Sequence, residues 1–341
     1  MAKSVIVGLD PTIYKKETKM KKITTALFAI IASLLIISCG KTAVDSSGCF
    51  SNIDDAVANA QKKNQDILVV VTMYGDDAQS QNFVDTIIRD EKFKNDIASN
   101  YSVVRMDFSQ GSYEATVAAE DANDTAKKNA EKRADNMQIN TQFANLLNVN
   151  VTPMVYILSK EEYMITSIYY DTSDKSYEGF KALLNDKKET VDEMHKMIYQ
   201  TKIGTPEEKM NAIEALFEAT APDNRIFLTD LLASSKKIDP NNKSGILGKL
   251  TLASADTEAK KALSLGDFRA AVNAYLSVEN ESTISPEDKQ QSVYTAAYIA
   301  AVSELEENSV VIEYLQKAID IAPDSDEVPA IKRVMDALSA Q

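Results

Sequence analysis

The chain has 341 residues, 26 % of them charged, with 51 acidic against 37 basic side chains and a net charge of −14. That excess of carboxylates excludes a protein that holds nucleic acid by neutralising phosphates or clings to anionic headgroups by charge. Two cysteines and one histidine exclude a disulfide framework and leave little for a metal site.

In chain order, the first feature is a secretory-type leader. Lys21 and Lys22 precede an apolar run at 23–38 that is short for a bilayer span. Leu35-Ile36-Ile37-Ser38-Cys39 resembles the lipobox of bacterial lipoproteins. The resemblance implies cleavage before Cys39, lipidation of its sulfur and tethering in the bacterial cell envelope, on a membrane face or at the surface. Residues 1–38 then form the signal peptide, with Met20 as an ordinary start and 1–19 as an upstream start. They hold six lysines and two acidic residues, so their loss takes the net charge from −14 to −18. Residues 39–50 read as a lipidated linker of small and polar residues, leaving Cys49 a single thiol without an intramolecular mate.

A helix is expected from Ile53, capped by Ser51. The β-branched run 67–73 predicts a strand buried on both faces. A helix over 78–99 follows, with Phe83, Ile87, Ile88, Phe93 and Ile97 near helical spacing, and then a strand at 101–107. Residues 111–137 are charge-dense and read as a solvated helix or mobile insertion, before a short helix at 142–147. Two strands, 153–158 and 163–170, are joined by a polar link without the usual glycine. A further helix begins near Ser176.

The order of elements over 51–187 resembles a thioredoxin-like α/β domain. Val149-Asn150-Val151-Thr152-Pro153 before a strand is similar to that family's Val-x-x-Thr-Pro segment, which implies a cis proline beside the active site. Arg89-Asp90-Glu91-Lys92-Phe93 is similar to the segment closing the active-site helix in some thioredoxin-like envelope proteins, with Asp90 and Phe93 matching. Counting back from it places Asp77-Ala78-Gln79-Ser80 where the family carries Cys-x-x-Cys. Thiol–disulfide exchange needs a thiolate; Asp77 and Ser80 supply none, and no cysteine lies between 50 and 341. Asp76 or Asp77 reads instead as a helix cap. No catalytic residue, cofactor or metal is assigned.

From 188 to 341 amphipathic helices follow one another, broken at Gly204-Thr205-Pro206, Ala221-Pro222, Asp239-Pro240, Ser285-Pro286 and Ala322-Pro323. Proline at a first helical position loses no hydrogen bond, so these breaks read as helix starts in an all-α domain separable from 51–187. Leu265-Gly266-Asp267-Phe268 with Ala271 and Tyr275 resembles the middle of a tetratricopeptide repeat, and Ala318 with Pro323 resembles the end of another. The resemblance implies Gly266, Phe268, Ala271, Tyr275, Ala318 and Pro323 as repeat-core positions. His195 reads as an ordinary helix residue, Tyr163, Tyr169 and Tyr170 as strand packing, and the acidic stretch 120–124 as a solvated face. The whole points to a lipid-anchored, non-catalytic module that binds envelope proteins or peptides as a scaffold or chaperone-like device; a thioredoxin-family redox protein is the alternative.

Overall fold

The computed structural model describes residues 44–170 and 174–340. The lipidation position Cys39 and the leader 1–38 lie outside the described residues. Helix α1 (Ile53–Lys63) starts one residue later than Ser51 suggests: Asn52 is the cap, its side chain accepting from the Asp55 N–H at 2.8 Å. Asp54 and Asp55 in the first turn and Lys62 and Lys63 in the last suit the helix dipole.

Strand β1 (Ile67–Thr72) is buried at all six positions, as a central strand must be. It pairs in parallel with β2 (Ser102–Asp107) and antiparallel with β3 (Met154–Leu158), and β3 pairs antiparallel with β4 (Met164–Tyr169). The sheet order is β2-β1-β3-β4. The β3–β4 turn has no glycine; Glu162 itself takes the left-handed conformation at φ 68°.

The crossover from β1 to β2 is not the continuous helix expected over 78–99. Helix α2 (Ala78–Phe83) widens into a π turn over Val84–Ile88, the helix breaks at 89–90 and resumes at 91, and a second π turn (Phe93–Ile97) leads into α3 (Ala98–Asn100). Ile88 and Phe93 explain the break. Five residues apart, they would sit about 140° apart on a regular helix, yet both are fully buried. Asp90 restarts the helix, its side chain accepting from the Lys92 N–H at 2.8 Å and its carbonyl from the Phe93 N–H at 3.0 Å.

After β2 come α4 (Gln110–Glu114) and α5 (Asp124–Leu146). Helix α5 runs through what reads in sequence as a polar insertion and a separate short helix. Its polar surface is anchored by amides: Asn140 accepts from the Ile53 N–H at 3.2 Å and donates to the Ser51 carbonyl at 2.9 Å, serving the open start of α1.

Beyond β4 lie α6 (Tyr177–Asp186, capped by Ser176), α7 (Lys188–Gln200), α8 (Pro206–Ala219), a 3-10 turn (Pro222–Leu228) running into α9 (Thr229–Ile238), α10 (Leu247–Ser264), α11 (Phe268–Leu276), α12 (Pro286–Val302), α13 (Asn308–Ile321) and α14 (Val328–Ser339). From α7 onward each α-helix packs on the next. The proline rule holds at Pro206, where Thr205 and Glu208 form a capping box, and at Pro286, capped by Ser285. It fails at two places. Asp239 ends α9, and its carboxylate accepts from the Lys243 and Ser244 N–H groups, both at 2.8 Å, to shape the loop ahead of Pro-free α10. Pro323 lies in the exposed loop after α13.

Leu68 and Val70 point to one face of the sheet, and Ile67, Val69 and Val71 to the other. The first face buries Phe83, Phe180, Val191, Met194, Met210, Leu232 and Leu250 in a single cluster. The core therefore crosses residue 188 without interruption, and residues 42–341 form one compact unit, where the sequence leads one to expect a separable helical domain. A distinct cluster, from Ala259 to Ile331, fills the interior of α10–α14. Among the described residues, no helix is long and apolar enough to cross a membrane.

Candidate functional site

The end of β1 leads into the candidate site. After Thr72 the chain turns through Gly75, at φ 92°, and Asp77 caps α2. The Asp77 carboxylate accepts from the Gln79 N–H at 3.1 Å, the Ser80 N–H at 3.0 Å, the Ser80 hydroxyl at 2.6 Å and the Thr152 hydroxyl at 3.3 Å. Burial alone would raise its pKa, but the donors, Ser80 first, outweigh burial and hold Asp77 below the usual aspartate range. The fully buried Ser80 hydroxyl accepts in turn from the Met73 N–H at 3.1 Å. The Thr152–Pro153 peptide is cis and immediately precedes β3. Thus the structure brings together Asp77, Ser80, Thr152 and Pro153, four residues selected from sequence. Asp76 does not share the cap; it accepts from the Gln110 N–H at 2.6 Å and pins the start of α4.

Asp107, at the end of β2, is a residue that sequence reading missed. Its two oxygens accept from Thr72 Oγ1 (3.0 Å), the Tyr74 N–H (2.8 Å), Ser109 Oγ (3.0 Å) and Ser112 Oγ (2.7 Å). The spacing Asp-x-Ser-x-x-Ser closing a strand is the local signal; its link to Thr72 and Tyr74 is purely tertiary. At this same end of the sheet Tyr113 (47 %), Val117 (76 %) and Tyr169 (49 %) are exposed. Tyr169 therefore departs from the strand-packing role, which Tyr170 fulfils at 1 % exposure.

Cys49 is not a linker thiol. It is 2 % exposed and belongs to the main core cluster, while its neighbour Phe50 bridges to Val104 on the outer edge of β2. Burial first, then the Asp45 carboxylate, push its thiol up to about 12. Such a thiol is protonated and shielded. The segment is apolar enough to dock because Cys49 and Phe50 both find the sheet.

The repeat positions divide. Ala271 and Ala318 are fully buried. Gly266 adopts φ 76° in the turn between α10 and α11, exposed and with open space around it. Phe268 is 37 % exposed and Pro323 exposed, so neither is a core residue: Phe268 starts α11 beside the turn, facing outward. Tyr275 is half-buried, its hydroxyl donating to Asp256 at 2.9 Å. His195 contacts Asp66 (Nε2 to Oδ1, 2.8 Å), and that contact raises its pKa despite partial burial. Beside it Lys202 pairs with Glu161 of the β3–β4 turn, so α7 is clamped to the sheet by charge as well as by its apolar stripe. Among the described residues no group of three or more His, Cys, Asp or Glu is arranged to hold a metal.

Residues 246–341 match a family described as "Uncharacterised protein C-terminal domain". An uncharacterized protein of Treponema pallidum (strain Nichols) is 28 % identical over 131 residues, 38 % of this chain and 44 % of that protein. The chain thus spans less than half the length of that relative. Among solved structures, a DsbH oxidoreductase aligns with a TM-score of 0.29 and 11 % identity, covering 41 % of this chain and 82 % of its own. Neither the family model nor the Treponema pallidum relative indicates a catalytic family.

Proposed function

We propose that the protein is a non-catalytic binding module of the cell envelope, tethered by lipid on Cys39, in which a thioredoxin-like domain without its dithiol presents a peptide-docking cleft beside Thr152 and Pro153. The thioredoxin-like assignment is supported by the sheet order β2-β1-β3-β4 with one parallel and two antiparallel pairings. The observation that carries the non-catalytic reading is the fate of the dithiol position. Asp77 accepts from the hydroxyls of Ser80 and Thr152, and the one cysteine among the described residues is buried, with burial pushing its thiol up to about 12. Neither a nucleophile nor a leaving thiolate is available there. The exposed Tyr113, Val117 and Tyr169 give the rim of this end apolar area for an extended segment. The helices beyond β4, in tetratricopeptide-like array, add surface for a partner chain and brace the sheet.

A photo-crosslinking residue at position 113 or 169, introduced in intact cells, tests the reading. Discrete adducts with envelope polypeptides are expected, together with membrane retention that Cys39→Ser abolishes. Purified protein should not accelerate insulin reduction, and Cys49 should react with a thiol reagent only after denaturation. Reduction above background that survives Cys49→Ala, or fatty-acid labelling unchanged by Cys39→Ser, would overturn the corresponding half of the proposal.

A further inference from the structure

One end of the α10–α13 layer carries an apolar surface that the cleft reading does not use. Residues 265–267 turn α10 into α11, and residues 303–307 turn α12 into α13. Arg269, in the first turn of α11, pairs with Glu306 in the second of these turns, so both lie at one end of the layer. Four large side chains are exposed there: Leu265 (42 %), Phe268 (37 %), Val302 (61 %) and, one turn earlier on the same face of α12, Tyr298 (44 %). A single exposed apolar residue is ordinary, whereas four on adjoining turns form a patch of the kind that marks an interaction site. Helix α12 adds no charge of its own to this face: residues 290–303 contain none, and of these Tyr298 and Val302 are the exposed ones.

The charges around the patch are one-sided. Asp267, Glu304 and Glu307 form no ion pair among the described residues, while the nearby cations are engaged. Arg269 holds Glu306, Lys260 holds Asp256 at 2.8 Å, and Lys261 lies near Glu162 of the β3–β4 turn, where burial raises the carboxyl's pKa and the Lys261 charge only partly offsets it. Lys332 and Arg333 belong to α14, which packs chiefly on α13.

We propose that this end of the helical layer docks a basic amphipathic segment of a partner protein, its apolar side chains covering Leu265, Phe268, Tyr298 and Val302 and its Lys or Arg side chains meeting Asp267, Glu304 and Glu307. Charge complementarity selects this occupant. A second copy would bring the same three carboxylates against themselves, and an anionic lipid surface would be repelled. The surface is independent of the cleft at Pro153, so either reading can fail without the other.

The test is fluorescence anisotropy with the full chain and a labelled 14-residue amphipathic helix built of Leu and Lys, compared with the same peptide bearing Glu in place of Lys. The Leu/Lys peptide should bind, weaken with salt, and lose at least tenfold in affinity with Tyr298→Ser/Val302→Ser and with Glu304→Lys/Glu307→Lys. Glu313→Lys/Asp320→Lys on α13 should change it less than twofold. Should the first pair not fold, Leu265→Ser/Phe268→Ser carries the same expectation. Equal losses in the α13 variant would reduce the binding to diffuse charge attraction and overturn the proposal. Equal binding of the Glu peptide would also overturn it. So would self-association, or adsorption to anionic phosphatidylglycerol vesicles, that Val302→Ser abolishes, since the occupant would then be a second copy or lipid.

Discussion

At the scale of single residues, the decisive substitution is a carboxylate where the resemblance implies a thiol. Asp77 is tied down by two N–H groups and two hydroxyls, as a carboxylate that caps a helix start is. Asp77→Ala should cost about 1–2 kcal/mol, the usual loss for a helix cap, measured by urea unfolding. Its folded pKa is lower than the unfolded one. The contribution is therefore complete above the ordinary aspartate range and disappears as pH falls through the lowered folded value; the gap between wild type and variant should close in acid. His195 has the opposite sign. Asp66 raises its pKa above 6.5, so the stabilisation is complete below that value and is lost as pH rises through the raised folded value. His195→Gln should flatten stability over that upper window, modestly, because the imidazole is 43 % exposed and solvent screens the pair. An unchanged pH profile would mean the contact with Asp66 contributes nothing in solution.

Among elements, α10 is the joint of the molecule. Its first turns place Leu247 and Leu250 in the cluster that covers the sheet, while Ala259 and Ala262 belong to the cluster of α10–α14. Lys249 pairs with Glu214 and Glu218 of α8, both at 2.5 Å. The backbone of the loop before α12 comes so close that a Cβ on Gly248 would lie 1.9 Å from the Thr283 carbonyl oxygen. Ordinary helix propensity favours alanine over glycine, yet Gly248→Ala should destabilise by at least the 1–3 kcal/mol typical of overpacking, roughly estimated. Chemical unfolding checks it, and a neutral or stabilising result would mean the loop moves away freely. Helix α12 has a related device: buried Gln290 donates to the Ala318 and Ala322 carbonyls, both at 3.0 Å, closing the end of α13.

For the whole molecule, the continuous core sets how the chain can be divided. A fragment 188–341 carries Val191, Met194, Ile198, Met210 and Ile213 without the strand β4 that α7 packs on and without the sheet half of their common cluster. It should bind a hydrophobic dye and melt broadly. A fragment 246–341, the stretch matched by the family pattern, keeps the second cluster intact and leaves Leu247 and Leu250 uncovered. It should show helical circular dichroism with a cooperative melt. A monomeric, dye-silent, cooperative 188–341 fragment would show instead that α7–α9 need no sheet. Within either fragment Tyr275→Ala should cost less than the ~3–5 kcal/mol of a fully buried aromatic, since Tyr275 is only half-buried.

Local chemistry was legible in the sequence. The continuous run at 67–73 declared a central strand, Thr205-Pro206 and Ser285-Pro286 declared helix starts, and the absence of thiols after Cys49 leaves residues 50–341 without a dithiol whatever the fold. The four residues Asp77, Ser80, Thr152 and Pro153 could be chosen from motifs because each occupies a fixed place beside a strand or helix end. Other features are set by burial and by contacts between segments far apart in the chain, which no local window contains. Cys49 became a core residue because Phe50 reaches Val104. The helix after β1 broke at 89–90 to keep both Ile88 and Phe93 inside. Asp107 gathered Thr72, Tyr74, Ser109 and Ser112 only once β1 and β2 were paired. The proline at 240 did not start a helix because the Asp239 carboxylate satisfied a loop instead. Amphipathic periodicity shows that a helix has a face to bury; it does not say against what. For α7 the answer is strand β4, and for α8 and α9 it is the neighbouring helices of the same cluster, so a boundary at 188, visible as a change of periodicity, is crossed by one continuous core.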